Sequence, residues 1–366
     1  MTVLLFLLIL VVLIVGHELG HFVSAKWTGM KVPEFGLGFP PKLWGKKVGD
    51  TEYTVNALPF GGFVKIVGED TADEGAAADP AAFSNRPFLA QAATLLAGPF
   101  SNVFLALILS SLAFMVGVPA AADAGFDPAF VHDVKVIVVE TLPGSPAAKA
   151  GIANNAEILS VTENGEAHAV RSADDVFQYV GAAGSGPVTL LLKEGDAARA
   201  VTVTPEKGVA PNDPDRFAIG LGAADAGTLV LPFFEAVKAG FSETLQNIEG
   251  VFLGVATFIG RAFTLSANFS DVAGPVGIAS LVGGAAAFGL GSVLSFAALI
   301  SVNLGVINLF PFPALDGGRL VMALYEALAR RRIPASFTSV VNVVGFALLI
   351  VLMLAVTFHD ITRLTS

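Results

Sequence analysis

A His-Glu-Leu-Gly-His segment at positions 17–21 contains the residue types of a hydrolytic metal site. On an α-helix, His17 and His21 lie on one face and one turn apart, so both imidazoles can bind the same metal ion. Glu18 would then lie near a water on that ion and could accept its proton as a general base. Two histidines, a carboxylate and one open position favour Zn²⁺, so the expected chemistry is zinc-dependent hydrolysis.

A third ligand is expected from a distant part of the chain. Asp316 is the strongest candidate, because it lies in the sequence NLFPFPALDGG at residues 308–318, directly after an apolar segment. Pro311 and Pro313 remove backbone donors and break the helix. Broken backbone at membrane depth is tolerated only where it is buried in protein or lines a wet cavity, which is where a metal site would lie. The alternative is that Asp316 is an ordinary turn or helix-capping residue.

The composition places these residues in a membrane protein. Hydrophobic residues make up 54% of the 366 and charged residues 14%, against about a quarter charged in soluble domains. The chain has no cysteine, which excludes a disulfide framework and a thiol nucleophile, and its net charge of −10 argues against nucleic-acid binding. Polar residues inside an apolar helix are costly without partners, which favours a functional site over mere packing in a helix bundle. The predicted transmembrane helices are 1–25, 92–118, 290–318 and 340–360.

Lysine and arginine predict the orientation of these helices. Loop 26–91 carries seven of them and loop 311–339 carries four, whereas they are sparser in the long 119–292 segment. Positively charged short loops mark the cytoplasmic side, so both termini and residues 119–292 are expected outside. A cleaved signal peptide is the alternative for the N-terminus, but no Lys or Arg precedes Lys26 to form its basic region.

This orientation gives the two halves of the candidate site a similar depth. His17 and His21 lie in the last third of a helix that runs from outside to inside. Asp316 directly follows a second helix that runs the same way. The site is therefore expected near the cytoplasmic side.

Residues 126–210 are expected to form one α+β domain. The segment PGSPAAKAG at 143–151 predicts a turn into a short helix, and together with the flanking strands it resembles a bacterial PDZ domain. The sequence AEI at 156–158 departs from the Gly-Asp pair that usually precedes Ile there, so a structural plug or size filter is an alternative to a peptide-binding domain. The predicted strands are 134–139, 188–192 and 200–204.

Two further segments are expected at the membrane surface. In loop 26–91, glycine alternates with apolar residues at 35–39 and 58–65, which predicts a membrane-associated β-hairpin with close backbone approach. The acidic, alanine-rich stretch 69–82 after it is predicted to be a mobile loop. Residues 233–265 are apolar but interrupted by charges, which predicts an amphipathic interfacial helix, with partial entry into the bilayer as the alternative.

Together, these motifs resemble the site-2 protease family, and most closely its bacterial branch of regulators of sigma-E. The HExxH segment, the NLFPFPALDGG segment and the inserted PDZ-like domain carry the resemblance, and the segments 58–65, 97–102 and 273–279 extend it over nearly the whole chain. Well-known Gram-negative members have two tandem PDZ domains, whereas this chain has room for one.

The resemblance implies specific roles for residues of this chain. His17, His21 and Asp316 would bind zinc, and Glu18 would be the catalytic base. A second set of residues would hold an unwound substrate beside the metal. Some of them belong to the motif after the third helix, and the others form an edge of the hairpin to which the substrate adds as a strand. This second set is Asn308, Pro311, Pro313, Gly61, Gly62 and Phe63.

The resemblance also implies a bacterial intramembrane zinc metalloprotease of the cytoplasmic (inner) membrane. It would cut single-pass membrane proteins in or near their transmembrane segment, as in anti-sigma factors or signal-peptide remnants. Its PDZ-like domain would lie outside, where it would exclude substrates that are not yet shortened or bind a new peptide tail. The expected partners are these substrates and the lipid bilayer, with no nucleic acid.

Two rival functions come from other classes. A catalytically silent scaffold would recruit partners through the PDZ-like domain and would keep its function in the Glu18→Gln variant. A metal or proton transporter would use the same ligands as a permeation site, but it would need polar residues along several helices. The predicted second and fourth helices have almost none.

Overall fold

The computed structural model describes residues 2–69, 78–195, 197–210, 213–264 and 272–365. The predicted mobile loop at 69–82 therefore lies largely outside the described residues. The described helices are α1 Thr2–Trp27, α2 Phe88–Val116, α3 Pro146–Lys149, α4 Ala173–Ala182, α5 Phe233–Phe263, α6 Pro275–Ala287, α7 Leu290–Leu309, α8 Asp316–Ala329 and α9 Ala335–Thr365. The strands are β1 Glu34–Val48, β2 Thr51–Lys65, β3 Val118–Ala121, β4 Val131–Thr141, β5 Glu157–Glu163, β6 Glu166–Ala169, β7 Val188–Glu194, β8 Ala197–Val203 and β9 Leu221–Leu229.

The chain divides into two compact units. Residues Gly117–Leu231 form a β-rich unit, and the segments before and after it form a helical unit. In the helical unit, α1, α2, α7 and α9 are long and apolar enough to cross a membrane by length and composition. This is the architecture of a membrane protein with an inserted β domain.

The core of the helical unit forms where α1, α6 and α7 meet. Phe6 and Leu13 of α1 are buried against Val282 of α6 and Ile300 of α7. Only 11% of the most apolar window of α9 is buried, so this helix presents a largely apolar surface outward. Such a surface suits lipid rather than water.

Helix α5 is one continuous helix that packs against α2 and α7. Its approach to α2 is close, because a Cβ added to Gly240 would lie 2.6 Å from Oγ of Ser111. Two helices, α6 and α8, occupy stretches for which the sequence analysis predicts no helix. Helix α8 begins at Asp316, after a non-helical turn that contains both prolines of the motif.

Strands β1 and β2 fold back on each other more than a simple hairpin does. Residues 34–37 of β1 pair on one side with residues 52–55 of β2 and on the other side with residues 62–65. Residues 44–48 pair in turn with the outer side of 51–55. The segment 62–65 is therefore at an edge, with no strand on its outer side among the residues described.

The β-rich unit is an antiparallel sheet in the order β3-β9-β4-β5-β7-β8, with β6 paired to β5. Its core contains the fully buried Val138, Val161 and Leu190, against which Val176 of α4 packs. The unit is wider than the predicted 126–210, because β3 and β9 pair with each other and β9 also pairs with β4.

Helix α4 begins with a complete capping box. The Ser172 hydroxyl accepts a hydrogen bond from the Asp175 backbone N–H, and the Asp175 carboxylate accepts one from the Ser172 backbone N–H. Two of the free donors at the start of the helix are satisfied in this way, which fixes where α4 begins.

Candidate metal centre

Helix α1 brings the two histidines of the motif together. The Nε2 atoms of His17 and His21 lie 3.1 Å apart, as the i,i+4 spacing requires, and both side chains are largely buried. His17, Glu18 and His21 are the ionisable side chains of α1 before Lys26, so the imidazoles are the groups of this helix that can bind a metal together.

The turn between α7 and α8 delivers the third ligand. Asp316 is the first residue of α8, and its Oδ2 atom lies 3.3 Å from Nε2 of both His17 and His21. The turn is tight, since a Cβ added to Gly317 or Gly318 would overlap the backbone of Leu309 or Phe312. These two glycines therefore allow the carboxylate to reach the histidines.

These three ligand atoms fit a zinc ion. Atoms bound at about 2.0–2.2 Å to a tetrahedral zinc lie about 3.3–3.6 Å from one another. The distances of 3.1, 3.3 and 3.3 Å between the ligand atoms are close to these values. Oδ2 of Asp316 is buried without a hydrogen-bond partner in the described part of the chain, which is costly unless a cation shares the site.

Helix α2 packs against both rings and supports them. Nδ1 of His21 donates a hydrogen bond of 2.7 Å to the Thr94 carbonyl oxygen, which leaves a lone pair on Nε2 for a metal. Nδ1 of His17 lies 3.1 Å from the Asn102 carboxamide. Gly98 makes room for the His21 ring, because a Cβ there would lie 2.6 Å from Cε1 of this ring.

A cavity of about 540 Å³ opens beside the three ligand atoms. Glu18 lines it, one residue after the first histidine and on the side where β2 passes. A Cβ added to Gly62 would lie 3.5 Å from Cγ of Glu18, so the backbone of the edge segment 62–65 runs directly past this carboxylate. Arg319 and Glu69 form an ion pair at the wall of the same cavity.

The structure brings most of the predicted site residues to one place. His17, Glu18, His21, Asp316, Asn308 and Phe63 all line the cavity. Gly61 has a φ of +123°, and a Cβ there would lie 2.8 Å from Cε2 of Phe39, so this glycine shapes the hairpin.

The two prolines of the motif lie in the turn itself. Pro311 is exposed, and Pro313 packs against α9, where a Cβ on Gly345 would lie 2.5 Å from the Pro313 Cβ. Neither proline is among the residues that line the cavity. The observed contacts of Pro313 thus fix the turn that carries Asp316.

Sequence reasoning missed the groups that support the histidines. Thr94 acts through its backbone carbonyl, for which no side-chain pattern gives a signal. Asn102 gave a partial signal, because an amide in the middle of an apolar helix needs a buried partner, but the sequence does not say which residue that partner is. The Arg319–Glu69 ion pair joins residues 250 positions apart and has no local signature.

Comparisons with known proteins find similarity over most of the chain. The model of peptidase family M50 matches residues 5–352. A protein of Clostridium perfringens that is named as a zinc metalloprotease is 37% identical over 352 residues, covering 95% of this chain and 95% of its own length. Proteins with the same kind of name from a Nostoc species and from Rhizobium meliloti are 32% and 30% identical, and each comparison covers at least 96% of both chains.

Proposed function

This chain belongs to peptidase family M50, the site-2 protease family of zinc metalloproteases, and on that premise we propose that it cuts single-pass membrane proteins in or near their transmembrane segment. The observation that carries the proposal is the position of the metal ligands. Nε2 of His17, Nε2 of His21 and Oδ2 of Asp316 converge within 3.3 Å, and two of them belong to a helix that is long and apolar enough to cross a membrane. A protease site built there acts on peptide bonds that the bilayer surrounds.

His17, His21 and Asp316 hold the zinc in this proposal. When bound, zinc supplies a Lewis acid that polarises a carbonyl and acidifies water. Glu18 accepts the proton of the attacking water and returns it to the amine that leaves, so one carboxylate serves both halves of the hydrolysis. Its position beside the histidines and at the cavity wall supports this role.

The edge segment 62–65 is the proposed docking site of the substrate. A peptide bond inside a helix has its carbonyl engaged in the helix, so the substrate must be held in an extended form before it is cut. An extended segment that adds to this edge gains main-chain hydrogen bonds and passes beside Glu18. Phe63 and Asn308, at the cavity wall, would contact its side chains and backbone, while Pro311 and Pro313 hold the turn in place.

The β-rich unit is proposed to be a PDZ-like domain that selects shortened substrates. A groove of about 370 Å³ lies beside α4, the start of β9 and the segment that precedes β9. Its lining includes the apolar Val176, Phe177, Val180 and Leu221 and the charged Glu140, Asp213 and Arg216. β3 covers residues 226–229 of β9, and Leu221 and Gly222 at the start of β9 line the groove. In this proposal, the groove binds the peptide tail that an earlier protease leaves on the substrate. If no tail binds, the unit would instead act as a size filter that excludes substrates that are not yet shortened.

The proposed location is the bacterial cytoplasmic membrane. The lysine and arginine distribution supports an outside position for the β-rich unit and a site near the cytoplasmic side. Helix α5 follows that unit and packs against α2 and α7, which supports a role for α5 in controlling access to the site.

Cleavage of a single-pass reporter in vesicles tests the proposal. Wild type is expected to cut the reporter, and Glu18→Gln is expected to lose about 10²–10⁴-fold in rate while it keeps about one zinc per chain. Glu166→Gln, an exposed position on β6 that lines neither the cavity nor the groove, is the matched control and should cut like wild type. Cleavage by Glu18→Gln at the wild-type rate would overturn the proposed role of Glu18. Zinc flux across the vesicle without cleavage would instead indicate a transporter.

A further inference from the structure

Asn102 of α2 lies on the far side of His17 from the candidate metal position. Its side chain is fully buried, and its carboxamide lies 3.1 Å from Nδ1 of His17. The Ser301 hydroxyl of α7 donates a hydrogen bond of 2.8 Å to the Asn102 backbone carbonyl. Asn102 is therefore held between two helices, with its polar end directed at one ring atom.

The hydrogen-bond capacity of this carboxamide is not fully used. Oδ1 of Asn102 is buried and has no partner among the described residues, while Nδ2 is the atom near the imidazole. A 180° rotation of the carboxamide exchanges the two atoms and places Oδ1 at hydrogen-bond distance from Nδ1. The same side chain can thus act as a donor or as an acceptor toward His17.

Metal binding determines whether Asn102 must donate or accept a hydrogen bond. An imidazole that binds a metal through Nε2 carries its proton on Nδ1, and this buried N–H needs an acceptor. Leaving such a donor buried without a partner is costly. For His21, the Thr94 carbonyl oxygen is the acceptor. For His17, Asn102 is the side chain at the required distance.

We infer that Asn102 is a positioning residue for the metal centre, which accepts a hydrogen bond from Nδ1 of His17 and so fixes the orientation and tautomer of this ligand. The inference rests on the proposed role of His17 as a zinc ligand. It assigns to α2 the support of both histidines, one through a backbone carbonyl and the other through a side chain.

Zinc affinity of the full chain in detergent, measured by competition with a chelator, tests the inference. Asn102→Leu keeps the branched shape and removes the acceptor, and it is expected to weaken zinc binding about 10–100-fold. Asn102→Asp keeps an acceptor but loses the NH₂ donor, and it is expected to retain most of the affinity. Asn303→Leu is the matched control, because the hydrogen bond of the Asn303 amide among the described residues goes to the Leu299 carbonyl of its own helix. Its zinc affinity should equal that of wild type.

The melting temperature, measured with and without zinc, separates positioning from a purely structural role. Asn102→Leu should reduce the rise in melting temperature that zinc produces, since tighter ligands stabilise more. The inference is overturned if Asn102→Leu binds zinc as tightly as wild type. It is also overturned if Asn102→Asp is as weak as Asn102→Leu, or if only the zinc-free melting temperature falls. The variant His17→Ala tests the premise separately. If its zinc affinity equals that of wild type, His17 is not a zinc ligand and the proposed ligand set is refuted.

Discussion

Replacement of Gly98 by alanine should disrupt the metal centre without touching a ligand. Gly98 lies in α2 where this helix faces His21. An added Cβ would lie 2.6 Å from Cε1 and 2.8 Å from Cδ2 of the imidazole, and closer still to Nε2. Ordinary carbon contacts begin near about 3.5 Å, so the ring or the whole of α1 must withdraw by about 1 Å.

This displacement is large compared with the tolerance of a metal site. Distances to a bound metal vary by only about 0.2 Å around their normal values, so a shift of about 1 Å removes His21 from effective coordination. The shift also stretches the hydrogen bond from Nδ1 of His21 to the Thr94 carbonyl, which is 2.7 Å long. Loss of such a supporting bond alone costs about 10–100-fold in metal affinity, and we expect at least this reduction.

Elemental analysis after dialysis against a graded series of chelator concentrations measures the effect. Gly254→Ala in α5 is the matched control, because a Cβ there meets nothing within 4 Å. This control should keep its zinc and gain about 0.5–1 kcal/mol of stability, as alanine does in helices. If Gly98→Ala retained zinc at the same chelator concentrations as wild type, the argument that close packing of α1 on α2 sets the position of His21 would be wrong.

Of four further predictions, one concerns the edge segment 62–65, two concern the β-rich unit and one concerns helix α6. Gly62→Val should slow reporter cleavage by about 10²-fold, because the valine side chain would project toward Glu18. The zinc content should not change, and both the rate and the zinc content are measured on the same sample. Ser172→Ala should lower the free energy of unfolding of the β-rich unit by about 1 kcal/mol, measured by chemical denaturation. Backbone N–H groups that donate to the Asp175 carboxylate hold its pKa below 3.8. The stability that this carboxylate contributes to the β-rich unit is therefore present above pH 3.8 and is lost as the pH falls through the lowered pKa, which unfolding measured along an acid titration tests. Asp360→Ala removes the carboxylate that accepts the Gly277 N–H at 2.7 Å and should cost about 1–3 kcal/mol in thermal unfolding, whereas Asp360→Asn keeps an acceptor and should cost less.

The parts of the fold that the sequence could predict depend on local pattern. The four long apolar helices follow from uninterrupted hydrophobic runs, and the strands β7 and β8 follow from their Val, Leu and Thr content. Strand β9 could not be predicted, because its sequence LGAADAGTL is rich in residues that disfavour strands. It forms a strand through its pairing with β3 and β4. Helix α6 likewise contains four glycines or prolines in thirteen residues, and its first turn depends on Asp360 of α9.

The candidate site shows the same division between local and distant information. His17 and His21 are one turn apart in a single helix, so their meeting follows from helix geometry. The approach of Asp316 could be expected from the depth of two helices and from a break at two prolines. Thr94 contributes only a backbone carbonyl, and Asn102 depends on the packing of α1 against α2, so neither contact could be derived without the structure.

The β-rich unit begins and ends at neighbouring points of its own sheet. Val118 in its first strand pairs with Leu229 in its last, and antiparallel partners of this kind lie about 4.5–5.5 Å apart. The unit is therefore a detachable module: it can be enlarged, duplicated or exchanged while the gap that the flanking chain has to bridge stays the same. If this unit selects substrates as proposed, its selectivity can evolve at one place in the gene while the residues of the candidate metal centre stay unchanged elsewhere.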